Sequence, residues 1–398
     1  ITTPISKTYL LTLLSPKASR SSSPPQNWKL VAEICRLLLM PTFAINGFGR
    51  IGRSAARVWL EKHTDEINLV AINTSGSLPA SGWAHLLKYD TAYGRLPYQI
   101  EAEDLKNPKE ITDTDPLIGY LKIKTGSAEH KIPVLAQKDP AKIPWGQYQV
   151  DVVAECTGIF TSQESASAHL TAGAKHVVIS APVKGDGIPT IVLGVNEAVL
   201  KEHANTITIL SSASCTTNSV APVAAIMHAK IGVKKAMLMT VHGYTDDQNL
   251  QDNSHRDLRR ARAAAANIVP TSTGAAIAAT EAVPELKGLF DGLALRVPVI
   301  TGSISDFTFI TTRSTSVEEV NEMFIDAART SPYQGILAVT DEPLVSSDII
   351  GRPESAIVDL GLTRVVDGDL VKVMAWYDNE MGYSNRLVEQ VIKVAEMI

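Results

Sequence analysis

Cysteine is scarce. The 398 residues include three, Cys35, Cys156 and Cys215, too few for a disulfide framework and suited to a reducing compartment. There is no C-x-x-C pair for zinc or redox exchange and no H-E-x-x-H, so no metal centre is expected. Long apolar runs are missing too. The stretches at 9–14 and 37–40 fall far short of the ~20 residues that cross a bilayer, and no membrane association is expected. Nor is there an excess of positive charge: a net charge of -5 gives no global attraction for nucleic acid or an anionic membrane. Glycine (25) and proline (21) are dispersed, which excludes collagen-like and low-complexity chains. What is present is a globular balance, 45% hydrophobic and 20% charged. The length suits two to three domains of roughly 150 residues.

Residues 1–40 differ from the rest. They carry Lys7, Lys17, Arg20, Lys29 and Arg36 against one acid, Glu33, and the breaker cluster SSSPP at 21–25. Three readings are open: an upstream or disordered extension, an organelle-targeting peptide, whose composition is also basic, Ser-rich and acid-poor, and an ordered appendage. The chain opens on Ile1, and Met40 stands directly before the first convincing strand. The extension is therefore favoured, and 1–40 is set apart from the fold.

From residue 42 the pattern alternates. TFAIN at 42–46 reads as a strand, and GFGRIG at 47–52 turns into a helix running to about Lys62. INLVAI at 67–72 is a nearly continuous apolar run, the mark of a strand covered on both faces. Residues 121–123 and 131–135 suggest a hairpin. Further strands are expected at 150–154, 176–180 and 190–193, with a helix at 162–172. Strands alternating with helices imply parallel β-α-β units. After about Ser211 the texture changes. A helix at 215–230 and a strand at 236–242 precede longer strands at 293–299, 305–312 and 370–377, a helix at 317–330 and a last amphipathic helix at 385–397. Fewer crossovers predict an α+β unit with a mainly antiparallel sheet. The expected fold class is thus α/β: a Rossmann-type dinucleotide-binding domain at 41–214, completed by a C-terminal helix within 379–398, and an α+β catalytic domain at 215–378.

Gly47-x-Gly49-x-x-Gly52 follows a strand and opens a helix, the context that gives this pattern meaning. Gly47 permits the tight turn, Gly49 lets backbone approach a pyrophosphate, and Gly52 lets helix and strand pack closely. The helix N-terminus supplies free N–H groups to phosphate. The expected partner is an acid about 20 residues on, holding the ribose 2′-OH. Here the second strand ends at Ile72 and Asn73-Thr74-Ser75-Gly76-Ser77 follows, and no acid occurs from Asn68 to Tyr89. A carboxylate would repel a 2′-phosphate, so its absence leans towards NADP or dual use of NADP and NAD. The counter-reading is that backbone holds the 2′-OH and the loss is neutral.

SASCTTN at 212–218 sits just before a helix. A thiol at a helix N-terminus is expected to have a lowered pKa. A lone cysteine is more often a small buried apolar residue, but three hydroxyls and an amide beside Cys215 speak against an apolar pocket. His242 ends a strand, where it would polarise a thiol or serve structure. Arg256, Arg259, Arg260 and Arg262 form a basic cluster: a solvated face, a nucleic-acid patch or a small-phosphate site. The interleaved aromatics of a nucleic-acid surface are missing. Arg296 stands in an apolar strand and needs an anionic partner.

Together these motifs resemble phosphorylating glyceraldehyde-3-phosphate dehydrogenase. The likeness rests on INGFGRIG at 45–52, LLKYD at 86–90, SASCTTN at 212–218, HRDLRRAR at 255–262, STGAA at 272–276, LRVP at 295–298 and WYDNEMGYSNR at 376–386. It implies reversible oxidative phosphorylation of D-glyceraldehyde 3-phosphate to 1,3-bisphosphoglycerate with NAD(P), in glycolysis, gluconeogenesis or carbon fixation. Cys215 would be the nucleophile, passing through a thiohemiacetal and a thioester, and His242 its acid-base partner. Ser214, Thr216, Thr273 and Gly274 match the site for attacking inorganic phosphate. Thr245 and Arg296 match the site for the substrate's own phosphate. Arg259 or Arg260, with Arg260 preferred, would hold anionic oxygens. For the cofactor the resemblance implies Arg50, Ile51, Ser180 and Asn379 beside the glycines, with Thr74 in place of the family's usual acid. It also implies a cytoplasmic homotetramer.

Two departures bear on the cofactor. Besides Thr74, Asn253-Ser254 replaces the Leu-Pro pair of NAD-specific bacterial members and is similar to NADPH-using ones. A rival within the superfamily, erythrose-4-phosphate dehydrogenase, hydrolyses its thioester; the intact Thr273-Gly274-Ala275 argues against it. A binding protein without enzymatic activity is disfavoured by the retention of both Cys215 and His242.

Overall fold

In a computed structural model of the chain, residues 40–126, 128–203 and 206–398 are described; the expected extension before Met40 lies outside them. The apolar run at 67–72 forms the strand Asn68–Asn73, with Ile67, Leu69, Ala71 and Ile72 all buried. It pairs in parallel with Thr42–Asn46, Ile45 opposite Ile72, and Thr42–Asn46 pairs in parallel with Val152–Glu155. His176–Ile179 and Ile209–Ser211 extend the sheet on that side, and Ala128–Leu135, Leu117–Thr125 and Gln99–Asp104 on the other. The last three form the antiparallel edge, a longer version of the expected hairpin. Sequence order reverses direction at Thr42–Asn46, the topological switch point at which open α/β sheets bind ligands.

The expected strand at 190–193 does not form. Thr190 makes an isolated bridge to Ser211. The Asn196 side chain instead accepts from Val192 N and donates to Thr190 O, taking backbone groups that a ladder would use. The helix Arg50–Val58 continues through a wider turn, Trp59–His63, close to its expected end. The last helix, Met381–Ala395, starts four residues before the expected 385, because Asp378 Oδ1 accepts from the backbone N–H groups of Glu380 and Met381. Its Leu387, Val388, Val391 and Val394 join Phe43, Ile45 and Val58 in the first sheet's core.

The second sheet runs Val269–Ser272, Phe290–Val297, Val233–Gly243, Ser303–Thr311, Leu370–Tyr377, Ala356–Asp359, Leu337–Thr340, with Arg364–Val366 also on Leu370–Tyr377. It is mainly antiparallel, with two parallel pairings: Val233–Gly243 with Phe290–Val297, and Leu337–Thr340 with Ala356–Asp359. The first puts His242 level with Arg296. The helix Cys215–Lys230 lies over this sheet, its Val220, Val223, Ala224 and Met227 sharing a core with Leu238, Phe307, Phe309 and Val373. Among the described residues no helix is long and apolar enough to cross a membrane.

Candidate active site

Two residues beyond Ile209–Ser211, Ala213 adopts φ 56°. That left-handed conformation costs a non-glycine residue on the order of 1–3 kcal/mol. It is held by Ala213 N–H donating to Ser211 Oγ at 3.0 Å and by Tyr383 Oη–H donating to Ala213 O at 3.1 Å. The turn delivers Cys215 to the first position of its helix, where Ser214 Oγ accepts from Thr217 N at 3.0 Å as N-cap. Cys215 Sγ then lies 3.5 Å from His242 Nε2 and 3.9 Å from Thr216 Oγ1. The helix terminus and the strand end thus bring together the two residues expected to carry the chemistry.

His242 is buried, with Nδ1 2.6 Å from Gly243 O and 2.6 Å from Arg296 Nη1. Tyr377 stands edge-on to its ring at 5.9 Å, and Tyr377 Oη is shared by Thr216 Oγ1 at 3.0 Å and Thr240 Oγ1 at 2.8 Å. Burial, reinforced by the Arg296 cation, pushes the imidazole down to about 3, so His242 is neutral in the resting site. Arg296 Nη1 is a donor only, so the two contacts at Nδ1 exclude each other: in the tautomer whose Nδ1–H donates to Gly243 O, Arg296 donates to Gly243 O instead, and Nε2 can accept the thiol proton. The expected lowering of the thiol pKa is corrected. Burial pushes Cys215 up, and Arg296 and the Thr216 hydroxyl offset this only in part. The resting pair is thiol and neutral imidazole, which calls for general-base activation.

Among the described residues no carboxylate is bonded to Arg296. Besides His242 it touches Gly243 O at 3.2 Å, and its Nε is buried without a partner. A cation in that state is an anion site. Arg260 is half-buried, donating from Nε to Thr271 Oγ1 at 2.9 Å and paired with Asp247. Arg259 is exposed, its backbone N–H bonded to Asp257 Oδ1. Geometry therefore favours Arg260 over Arg259. Thr245 is half-buried at the mouth of the loop after His242, and Thr273 accepts from Ala275 N at 3.2 Å beside Gly274, the N-cap of Ala275–Ala282.

The glycine turn has the shape expected of a dinucleotide cradle. Gly47 has φ 96°, and a Cβ there would meet Thr157 N at 2.8 Å; a Cβ on Gly52 would meet Gly47 O at 2.1 Å, whereas one on Gly49 would meet nothing within 4 Å. The turn is closed against protein at 47 and 52 and open at 49, so the residues present fit a pyrophosphate. The Arg50 guanidinium is tied to Asp90 and Glu380, so a phosphate at this turn would meet the backbone N–H groups of Arg50 and Ile51 and not that side chain. Asn379 Oδ1 accepts from Ser303 Oγ at 2.8 Å and Thr301 Oγ1 at 3.1 Å, which fixes its amide orientation. Ser180 follows His176–Ile179 with its N–H on Glu155 O. Thr74 departs from expectation. It is buried, and its hydroxyl donates to Leu135 O at 3.0 Å, so the exposed hydroxyls of this segment are Ser75 and Ser77.

A mainly parallel sheet with a glycine turn at its switch point, beside a cysteine at a helix start and a histidine at a strand end of the second sheet, is the arrangement of a nicotinamide-dinucleotide oxidoreductase. Family models identify the kind. The model of the glyceraldehyde 3-phosphate dehydrogenase NAD binding domain matches residues 42–163, and that of its C-terminal domain matches 214–379. Glyceraldehyde-3-phosphate dehydrogenase 2 of Streptomyces arenae is 49% identical over 345 residues, 87% of this chain and 96% of the relative. The Zymomonas mobilis enzyme is 47% identical over 355 residues and that of Mycobacterium tuberculosis 48% over 357, each covering 89% of this chain and 98% of the relative. The chain belongs to the glyceraldehyde-3-phosphate dehydrogenase family.

Sequence reasoning missed Tyr377, which braces His242, and Asp247, which aims Arg260. It also missed Asp90 and Glu380, which occupy Arg50. Asp90, Tyr377 and Glu380 lie inside motifs carrying the resemblance; Asp247 follows the histidine strand by a few residues. Position was available, but pairing depends on strand register.

Proposed function

We propose that the chain catalyses the reversible, phosphate-dependent oxidation of D-glyceraldehyde 3-phosphate to 1,3-bisphosphoglycerate, with Cys215 as nucleophile. The 3.5 Å contact between Cys215 Sγ and His242 Nε2 at a helix N-terminus carries this reading. His242 takes the thiol proton as Sγ bonds to the aldehyde carbon and returns it to the carbonyl oxygen, giving a thiohemiacetal. It takes that hydroxyl proton again as the carbon is oxidised to the thioester. A bound nicotinamide supplies the hydride acceptor. Inorganic phosphate, held by Ser214, Thr216, Arg260, Thr273 and Gly274, then forms the new C–O bond. The C–S bond breaks, and the thiolate recovers its proton from His242. Thr245 and Arg296 hold the substrate's own phosphate. The part of the chain at 41–214, with the helix in 379–398, serves the cofactor, and 215–378 serves the chemistry. The expected setting is cytoplasmic sugar-phosphate metabolism. Reduction of NAD(P) should require both glyceraldehyde 3-phosphate and inorganic phosphate for sustained turnover; equal rates with erythrose 4-phosphate, or without phosphate, would defeat the reading.

Arg296→Leu should raise KM for glyceraldehyde 3-phosphate by about tenfold to a hundredfold, the worth of a charge-assisted phosphate contact. KM for unphosphorylated glyceraldehyde should move far less. Equal changes with both aldehydes would make Arg296 a prop for His242 and no phosphate ligand.

For the cofactor we propose dual use leaning to NADP. Gly47, Gly49 and Gly52 shape the pyrophosphate cradle, Ser180 and Asn379 serve the nicotinamide side, and no carboxylate occupies the segment Thr74, Ser75, Gly76, Ser77. An aspartate at 74 has no proton for Leu135 O and would turn towards the ribose. Thr74→Asp should therefore weaken NADP(H) by on the order of tenfold or more through like-charge repulsion, while leaving or improving NAD(H). A kcat/KM for NAD about a hundredfold above that for NADP in the unaltered enzyme would contradict the lean.

A homotetramer is the proposed assembly. The outer face of the second sheet exposes Met237 and Leu293, each more than half exposed, beside Ile277 and Leu289, apolar surface of the kind that subunit contacts cover. Sedimentation should give four chains per particle, and a monomer would refute it.

A further inference from the structure

Beneath the cofactor turn lies a chain of polar groups, buried from Trp145 to Gln137, that the chemistry does not use. Trp145 Nε1–H donates to His169 Nδ1 at 3.0 Å, and His169 Nε2 faces Glu155 Oε2 at 3.0 Å. An indole N–H is only a donor, so Nδ1 must accept and the imidazole proton sits on Nε2, donating to Glu155. At the other end the backbone of Gln137 pins Asn73, its N–H donating to Asn73 Oδ1 at 2.9 Å while Asn73 Nδ2 donates to Gln137 O at 2.8 Å. Asn73 Nδ2 also donates to Asn46 Oδ1 at 2.7 Å, which leaves Asn46 Nδ2 to donate to Glu155 Oε2 at 2.5 Å. The other carboxylate oxygen accepts from Thr157 N at 2.8 Å and from the Thr157 hydroxyl. Each of these partners of Glu155 is a donor. Donor direction is thus set from both ends, and both runs terminate on one carboxylate.

The chain crosses the C-terminal ends of Val152–Glu155, Thr42–Asn46, Asn68–Asn73 and Ala128–Leu135, the ends from which the cofactor loops leave. Thr157 is the residue against which the Gly47 turn closes. We infer that Glu155, oriented by His169, is a positioning residue that holds Asn46-Gly47 and Thr157 in the dinucleotide-binding geometry. This rests on the reading that the 47–52 turn holds the pyrophosphate. Glutamine at 155 carries an NH₂ on one side; in one orientation it meets His169 Nε2–H and the Asn46 NH₂, in the other the Thr157 backbone N–H, so no flip satisfies every group.

The test compares Glu155→Gln, His169→Leu and His169→Gln in the full chain, by titration with NADH and NADPH and by steady-state kinetics. Glu155→Gln and His169→Leu should raise Kd and KM for the dinucleotide by about tenfold or more, the loss carried by a buried charge-assisted hydrogen bond. Their kcat at saturating cofactor, and the rate at which iodoacetamide alkylates Cys215 without cofactor, should stay within about twofold of the parent. His169→Gln should restore cofactor affinity, since its amide can accept from Trp145 and donate to Glu155. Unchanged cofactor KM in Glu155→Gln, or an equal loss in kcat and alkylation, overturns the proposal. If Glu155→Gln does not fold, equal cofactor KM in His169→Gln and His169→Leu overturns it. Failure of the unaltered enzyme to bind either dinucleotide overturns the underlying reading as well, and is seen separately.

Discussion

Cys215→Ser is expected to lower turnover with glyceraldehyde 3-phosphate by about 10³-fold or more if Cys215 is, as proposed, the covalent nucleophile. A serine hydroxyl is a far weaker acid than a thiol. The imidazole of His242, 3.5 Å from Sγ, would then have to take its proton from an alcohol instead of a thiol. Cofactor affinity should survive, since the substitution is one atom at the start of a helix on the second sheet, away from the 47–52 turn. Iodoacetamide should label Cys215 and spare Cys156, whose thiol burial pushes up to about 12. Wild-type turnover in the serine variant, or labelling mainly at Cys156, would show that the nucleophile lies elsewhere.

His242→Asn should lower kcat by about 10²-fold to 10⁴-fold, the range carried by one positioned acid-base group. Two functions are lost together. The thiol, pushed up by burial, stays protonated at neutral pH without an acceptor at Nε2, and the thiohemiacetal hydroxyl loses its base. The rate of Cys215 alkylation at neutral pH should fall with kcat for the first of these reasons. Loss of kcat with unchanged alkylation would confine His242 to the oxidation step; neither changing would remove it from the chemistry.

Features that depend on local pattern were legible in the sequence. The helix at 215–230 and the strand at 370–377 are as expected, each bounded by turn chemistry and carrying its own periodicity. The glycine turn was legible because close approach excludes a Cβ at Gly47 and Gly52. What depends on register was hidden. The parallel pairing of His242 with Arg296 is a contact between strands more than fifty residues apart, and no local signal announces it. The thiol's direction of shift was misjudged for a related reason: a helix terminus is visible in sequence, whereas burial beneath a second sheet is not. Thr74 shows the same limit at one residue. Its type was informative about charge, but its hydroxyl turns inward to Leu135, which only strand alternation and the neighbouring chain decide. Short elements such as Leu337–Thr340 and the alanine-rich Ala275–Ala282 carry too little periodicity to be read.

The proposed intermediate is a thioester on Cys215 that inorganic phosphate resolves. Mixing enzyme and oxidised cofactor with glyceraldehyde 3-phosphate in phosphate-free buffer, followed by stopped-flow absorbance and intact-mass analysis, tests it directly. The predicted result is a rapid burst of reduced cofactor stoichiometric with Cys215, a phosphoglyceroyl adduct mapped to Cys215, and steady turnover only when phosphate is added. Steady turnover without phosphate and without an adduct, or an adduct on another residue, would contradict it.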